Sequence, residues 1–183
     1  SSYRNDALDA NGDKIYYNNR GKAVIFSVIG TEPIEKGVKI AAAHIDSPRL
    51  DIKQYPLYEE SELALFKTHY YGGIKKYQWV ATPLAVHGVV FLKNGKKVSF
   101  AIGEKEEDPV FCIPDILPHL SRNVQDDRKT REVIKGEELK VLFGSIPVKD
   151  KDAKEKIKAN ILEHLKKDYG IEEEDFFSAE IEI

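Results

Sequence analysis

Residues 38–53 read VKIAAAHIDSPRLDIK, and this stretch decides the fold class. Its first six residues form an apolar run that ends at His44-Ile45-Asp46-Ser47-Pro48. Proline has no N–H to give to a ladder, so Pro48 halts regular pairing. A short apolar run between turn signals predicts a strand covered on both faces, as in parallel or mixed sheets packed between helices. Working back, residues 23–29 form a second such run between Asn18-Asn19-Arg20-Gly21 and Gly30-Thr31-Glu32-Pro33, and residues 15–17 a shorter one. Working forward, residues 49–53 alternate, with Leu50 and Ile52 on one face and Asp51 and Lys53 on the other. The first third of the chain is therefore expected to be strands of an α/β layer structure.

The sequence has 183 residues, 42% hydrophobic and 32% charged, with 28 basic against 31 acidic side chains and a net charge of -3. Such a chain can bury a core, which excludes intrinsic disorder. Its charge balance leaves no basic footprint for nucleic acid or a membrane surface. No apolar stretch approaches the ~20 residues that a spanning helix needs. The one cysteine, Cys112, excludes an internal disulfide framework and fits a reducing, cytoplasmic compartment. The opening SSYRNDALDA is polar and lacks the apolar segment of a secretory signal. Methionine is absent even at position 1, which predicts either a piece of a longer protein or modified methionines missing from the written sequence.

From about Gln54 the character changes. Residues 79–92 are rich in β-branched and aromatic side chains, and Lys93-Asn94-Gly95-Lys96 follows them. An Asn-Gly pair between alternating segments predicts a hairpin. The return strand is expected to place Val98, Phe100 and Ile102 on one face, and residues 139–143 form another apolar strand. Residues 114–121 predict a short helix with Pro in its first turn. Asp152 with Glu155 three residues on resembles a capping box for a helix whose stripe is Ile157, Ile161, Leu162 and Leu165 and whose stop is Gly170. Phe177, Ala179, Ile181 and Ile183 then alternate with polar residues as a half-buried strand, inside which the sequence stops; this too predicts a longer parent.

His44 ends a predicted buried strand, where open α/β sheets place their ligands. Asp46, two residues on, lies on the same side of an extended chain and can accept the other imidazole N–H, fixing the tautomer. One histidine does not make a metal centre, so this pair alone equally describes a structural contact. His69, before Gly72-Gly73, fits a second ligand, a substrate contact or a simple turn position. His87 within a strand and His164 on a Lys-rich helix read as packed or solvated, and the pattern leaves His119 open. Cys112 between Phe111 and Ile113 reads as a buried, inert thiol. Ser47 lacks the G-x-S-x-G elbow, and Asp126-Asp127-Arg128 reads as a solvated charge cluster. A cysteine or serine hydrolase is thus a weak alternative.

Three segments taken together carry a resemblance. Residues 43–53 (AHIDSPRLDIK), 68–79 (THYYGGIKKYQW) and 108–122 (DPVFCIPDILPHLSR), in that order, resemble the aspartyl-aminopeptidase family of zinc metallopeptidases, its bacterial members in particular. The helix followed by SAEIEI at 178–183 also looks like that family. The resemblance implies an incomplete metallo-exopeptidase α/β sandwich interrupted by an inserted β-rich, barrel-like domain. Residues 1–53 would begin the catalytic domain, 54–148 would be the insert used for assembly, and 149–183 would return to the catalytic domain. It implies an aminopeptidase that uses two divalent cations, zinc or alternatively cobalt or manganese, to release N-terminal residues from peptides. It carries a metal-ligand role to His44, an orienting role to Asp46, and a substrate contact in a neighbouring subunit's site to His119. It also implies a homo-oligomer, in the form of a tetrahedral dodecamer. The family's remaining ligands and general base fall beyond residue 183, so this chain alone is expected to be inactive. The competing reading is a non-catalytic binding or assembly module in which His44 is vestigial.

Overall fold

The computed structural model describes residues 14–45, 47–150 and 152–183, in two compact units that divide between Ile45 and Asp46. In the smaller unit, β1 (Lys14–Asn19) and β2 (Ala23–Val28) form an antiparallel hairpin, in register from Lys14↔Val28 to Asn19↔Ala23. Its turn is of type I′: Arg20 and Gly21 both have positive φ (58° and 70°), and the Lys22 N–H donates to the Asn19 carbonyl at 3.0 Å. Asn18 adds a side-chain acceptor for the Gly21 N–H at 2.7 Å.

Two expectations fail in this unit. The apolar runs of β1 and β2 are exposed along their whole length, with Tyr16 74% and Phe26 77% accessible. Residues 38–45 carry no strand and are exposed as well. The reason is that a strand is defined by pairing, and no described segment pairs with 38–45. A two-stranded ribbon likewise has no second layer to cover its faces.

The larger unit is an antiparallel six-stranded sheet, curled into a half-barrel, with order β6-β5-β8-β3-β4-β7. Its strands are β3 (Arg49–Glu60), β4 (Leu63–Tyr71), β5 (Val86–Phe91), β6 (Lys97–Ile102), β7 (Lys140–Gly144) and β8 (Ala179–Glu182). β3 runs without interruption through positions 53 and 54. The β5–β6 hairpin forms where Asn94-Gly95 predicts it, and Val98, Phe100 and Ile102 alternate inward as expected. A bulge shifts the β3–β4 register between Ile52 and Leu57 and turns Tyr55 outward at φ 50°. The core gathers Leu50, Phe66, Val86, Val90, Ile113, Leu139, Val141 and Ile171, each at most 1% accessible.

Two helices complete this unit. α1 (Pro118–Ser121) is shorter than the predicted 114–121, because the chain stays extended until Leu117 and Pro118 takes the first helical position. α2 (Lys156–Tyr169) buries Ile157 and Leu165 and ends at Gly170 in the left-handed conformation (φ 72°). There the Gly170 and Ile171 N–H groups donate to the carbonyls of Lys166 and Leu165. The predicted Asp152/Glu155 box does not cap α2. Instead Glu59, reaching from β3, accepts the Ile157 and Lys158 N–H groups at 2.9 and 3.1 Å. Asp175, 4% accessible, caps the turn before β8 by accepting the Glu172 N–H at 2.9 Å.

Candidate active-site residues

His44 is exposed, near the end of the extended stretch that closes the smaller unit. Its expected partner Asp46 lies outside the described residues. An exposed imidazole is a suitable donor for zinc, so His44 fits as one ligand. Among the described residues no group of three or more His, Cys, Asp or Glu side chains is placed to hold a metal ion. His44 therefore belongs to no complete donor set among the described residues.

His119 is the second residue of α1 and is exposed. The loop that presents it is tied by its own groups. The Asp115 carboxylate accepts the Ile116 N–H at 2.8 Å and the Gln125 amide at 3.0 Å, and the Ser121 hydroxyl donates to the Pro118 carbonyl at 3.0 Å. On either side of His119 in the chain, Leu117 (66%) and Leu120 (60%) are exposed as well.

The other candidates have local explanations. His69 is exposed and stacks on Tyr70, with ring centres 5.8 Å apart. Nearby, Lys53 donates to both Glu137 oxygens at 3.0 and 2.8 Å, and that hydrogen bond holds the Glu137 carboxyl below the usual carboxylate range. His87 bonds Glu104 at 2.7 Å on the surface, and His164 lies 3.9 Å from Asp168 one helical turn on. Cys112 is half-buried, less covered than expected, because neighbouring Phe111 and Ile113 take the inward positions on its strand. Asp126 and Asp127 are exposed, while Arg128 bonds both oxygens of Glu138 at 3.0 and 2.9 Å.

A cluster that the sequence reading missed surrounds Arg49. Its Nε donates to Asp51 Oδ1 at 2.8 Å and lies 3.1 Å from Glu182 Oε1. Its guanidinium carbon sits 4.2 Å from the centre of the Tyr71 ring. The bond to Asp51 raises the guanidinium pKa further above its ordinary value. The i, i+2 spacing of Arg49 and Asp51 on one strand face was visible in the sequence, but the pairing of β3 with β8 was not.

The family described as "Aminopeptidase I zinc metalloprotease (M18)" matches residues 2–183. The chain belongs to the M18 aminopeptidase family. It is 57% identical over 172 residues to a protein named "Probable M18 family aminopeptidase 1" from Borrelia garinii, covering 94% of this chain and 37% of that relative. The crystal structure of the M18-family aminopeptidase from Thermotoga maritima superposes with a TM-score of 0.86 at 48% identity, covering 97% of this chain and 38% of that one. Aminopeptidase I from Clostridium acetobutylicum gives 0.84 at 53% identity, covering 93% and 37%. The chain thus spans well under half the length of the M18 proteins it matches. M18 membership agrees with the resemblance read from residues 43–53, 68–79 and 108–122. Among the described residues no helix is long and apolar enough to cross a membrane.

Proposed function

We propose that this chain forms part of a metal-dependent aminopeptidase that releases N-terminal residues from peptides. The observation that carries the reading is its match to the M18 zinc metalloprotease family along residues 2–183. In this reading residues 1–53 and 149–183 belong to the catalytic domain, and residues 54–148 form an inserted β-rich assembly domain. His44 gives a neutral imidazole nitrogen to a divalent cation, and Asp46 accepts its other N–H and fixes the tautomer. His119, held outward by its braced loop, donates to or accepts from the substrate in a neighbouring subunit's site. The metal pair, zinc or alternatively cobalt or manganese, supplies Lewis acidity and an activated water when bound. The enzyme is a cytoplasmic homo-oligomer, a tetrahedral dodecamer in the family's pattern.

The test uses the complete protein, with all the sequence that flanks this chain. Chelation is expected to abolish hydrolysis of aminoacyl p-nitroanilides, and zinc, cobalt or manganese to restore it. His44→Ala should lower kcat by about 100-fold or more, the loss expected when a reacting centre is misplaced. The 183-residue chain by itself should be inactive. Chelator-insensitive hydrolysis, or a His44→Ala protein with parental kcat, would refute the reading and favour a non-catalytic module.

A further inference from the structure

The two edges of the six-stranded sheet differ. At one, β7 is covered, because the Leu142 N–H donates to the Cys112 carbonyl at 2.8 Å. At the other, β6 pairs only with β5 among the described residues. Across that hairpin the Leu92 N–H donates to the Lys96 carbonyl. Opposed pairs of an antiparallel ladder alternate between bonded and non-bonded. In the register Val90↔Val98, Gly88↔Phe100 and Val86↔Ile102, the bonded residues of β6 are therefore Val98, Phe100 and Ile102. The backbone groups of Lys97, Ser99 and Ala101 point away from the sheet. The next N–H on that side, at Gly103, is taken by the Asp108 carboxylate at 2.9 Å. Those of Ser99 and Ala101 have no partner among the described residues. Such an open row of N–H and C=O groups is a template for another strand.

The charges at the two ends of this edge are opposite. Lys96 and Lys97, exposed where β6 begins, form no ion pair among the described residues. Where β6 ends, Asp108 folds the chain back by accepting the N–H groups of Gly103, Glu104 and Lys105. That turn exposes Glu106 and Glu107, which outnumber Lys105 and likewise form no ion pair among the described residues. An antiparallel copy brings the start of one strand against the end of the other, so a strand that runs from cationic to anionic attracts its own copy. A two-fold axis gives this arrangement, that of an isologous contact. An open edge accepts any extended strand; the charge order is what selects a second copy of this chain.

We infer that β6 is an assembly edge, where two copies of the chain pair β6 with β6, antiparallel, about a two-fold axis at Phe100. This axis sets Lys96 opposite Glu104 of the partner subunit and Ser99 opposite Ala101 of the partner subunit. The backbones of Ser99 and Ala101 then exchange N–H···O bonds between copies, and the two sheets become one. The inference rests on the homo-oligomer reading proposed above and names the edge through which copies meet.

The test follows the mass of the complete protein by sedimentation over a range of concentration. Ser99→Pro removes an outward N–H, leaves the β5–β6 bonds in place and suits an edge strand. The hydrogen bonds it deletes from both copies should weaken association by about 10-fold or more. Charge reversal is the second arm. Lys96→Glu with Lys97→Glu, or Glu106→Lys with Glu107→Lys, sets like charges face to face and should weaken association by about threefold or more at low salt. All four reversals together restore the complement and should recover parental association, a rescue that a purely structural effect does not give. Association within about twofold of the parent in Ser99→Pro, or in both reversed pairs, overturns the inference, as does a quadruple variant no tighter than the pairs. Should Ser99→Pro fail to fold, the reversals, all at exposed positions, decide it. A parent that stays monomeric at every concentration removes the oligomer reading itself. A parent that assembles, with variants that assemble equally well, removes only the role of β6.

Discussion

Replacing Glu59 with Ala removes the two hydrogen bonds that start α2. The Glu59 carboxylate accepts the Ile157 and Lys158 N–H groups at 2.9 and 3.1 Å from a part-buried position. Losing a side-chain cap costs about 1 kcal/mol, within a range of 0.5–2. Losing a negative charge at a helix N-terminus adds about 0.3–1 kcal/mol. Together these give about 2 kcal/mol, which is roughly 6–8 °C in thermal midpoint for a unit of this size. Two readouts test it: the urea midpoint of the chain, and hydrogen exchange at the Ile157 and Lys158 amides, which should speed up most. Asp152→Ala is the comparison, because the sequence pattern assigns it the cap while α2 has no side-chain cap from its own N-cap residue. It should stay within about 0.5 kcal/mol of the parent, as surface substitutions do. If Asp152→Ala costs more than Glu59→Ala, the long-range cap is wrong and the local capping box is right.

Two further outcomes follow from local geometry. A Cβ at Gly88 would stand 2.5 Å from Phe100 Cζ and 2.9 Å from Ile181 Cγ1, so Gly88→Ala forces the Phe100 and Ile181 side chains to shift. The expected loss is about 1–3 kcal/mol in urea unfolding, and no loss would show that Phe100 swings aside freely. The Asp108 carboxylate accepts the backbone N–H groups of Lys105, Gly103 and Glu104, and these hold its pKa below the ordinary carboxylate value. A lowered folded-state pKa adds stability above the unfolded value that is lost as pH falls through the folded one. Asp108→Asn should therefore flatten the decline in stability below about pH 4, and an unchanged acid limb in a series of urea midpoints would contradict the turn's role.

How much of this the sequence shows depends on whether a signal is local. The β5–β6 hairpin is legible because Asn94-Gly95 supplies the positive φ that its turn needs. The β3–β4 turn is not, because Ser61 and Glu62 adopt positive φ (51° and 59°) with no glycine or asparagine to announce it. The stripe and stop of α2 are written in neighbouring residues, while its cap comes from a strand far away in the chain. The run at 38–43 has the composition of a buried strand, but pairing needs a partner, and none of the described segments provides one. His44 and His119 are legible only through the segments around them. Nothing in the smaller unit or in α1 alone distinguishes a ligand or substrate contact from an exposed histidine. The Arg49 cluster is not legible, because Glu182 is brought to Arg49 by sheet order, which local patterns do not encode.

That sheet order also has a consequence for synthesis. β8 lies between β5 and β3, so among the named strands of the sheet it is β8 that joins the β6–β5 pair to the β3, β4 and β7 group. During translation β6 is complete at Ile102, yet its half of the sheet must wait until residues 179–182 are made. At roughly 5–20 residues per second that interval lasts several seconds. For that time β3 and β5 each present an unpaired edge, and two nascent chains on neighbouring ribosomes could pair those edges with each other. The moment of greatest exposure to misassembly thus falls just before the last strand of the sheet emerges.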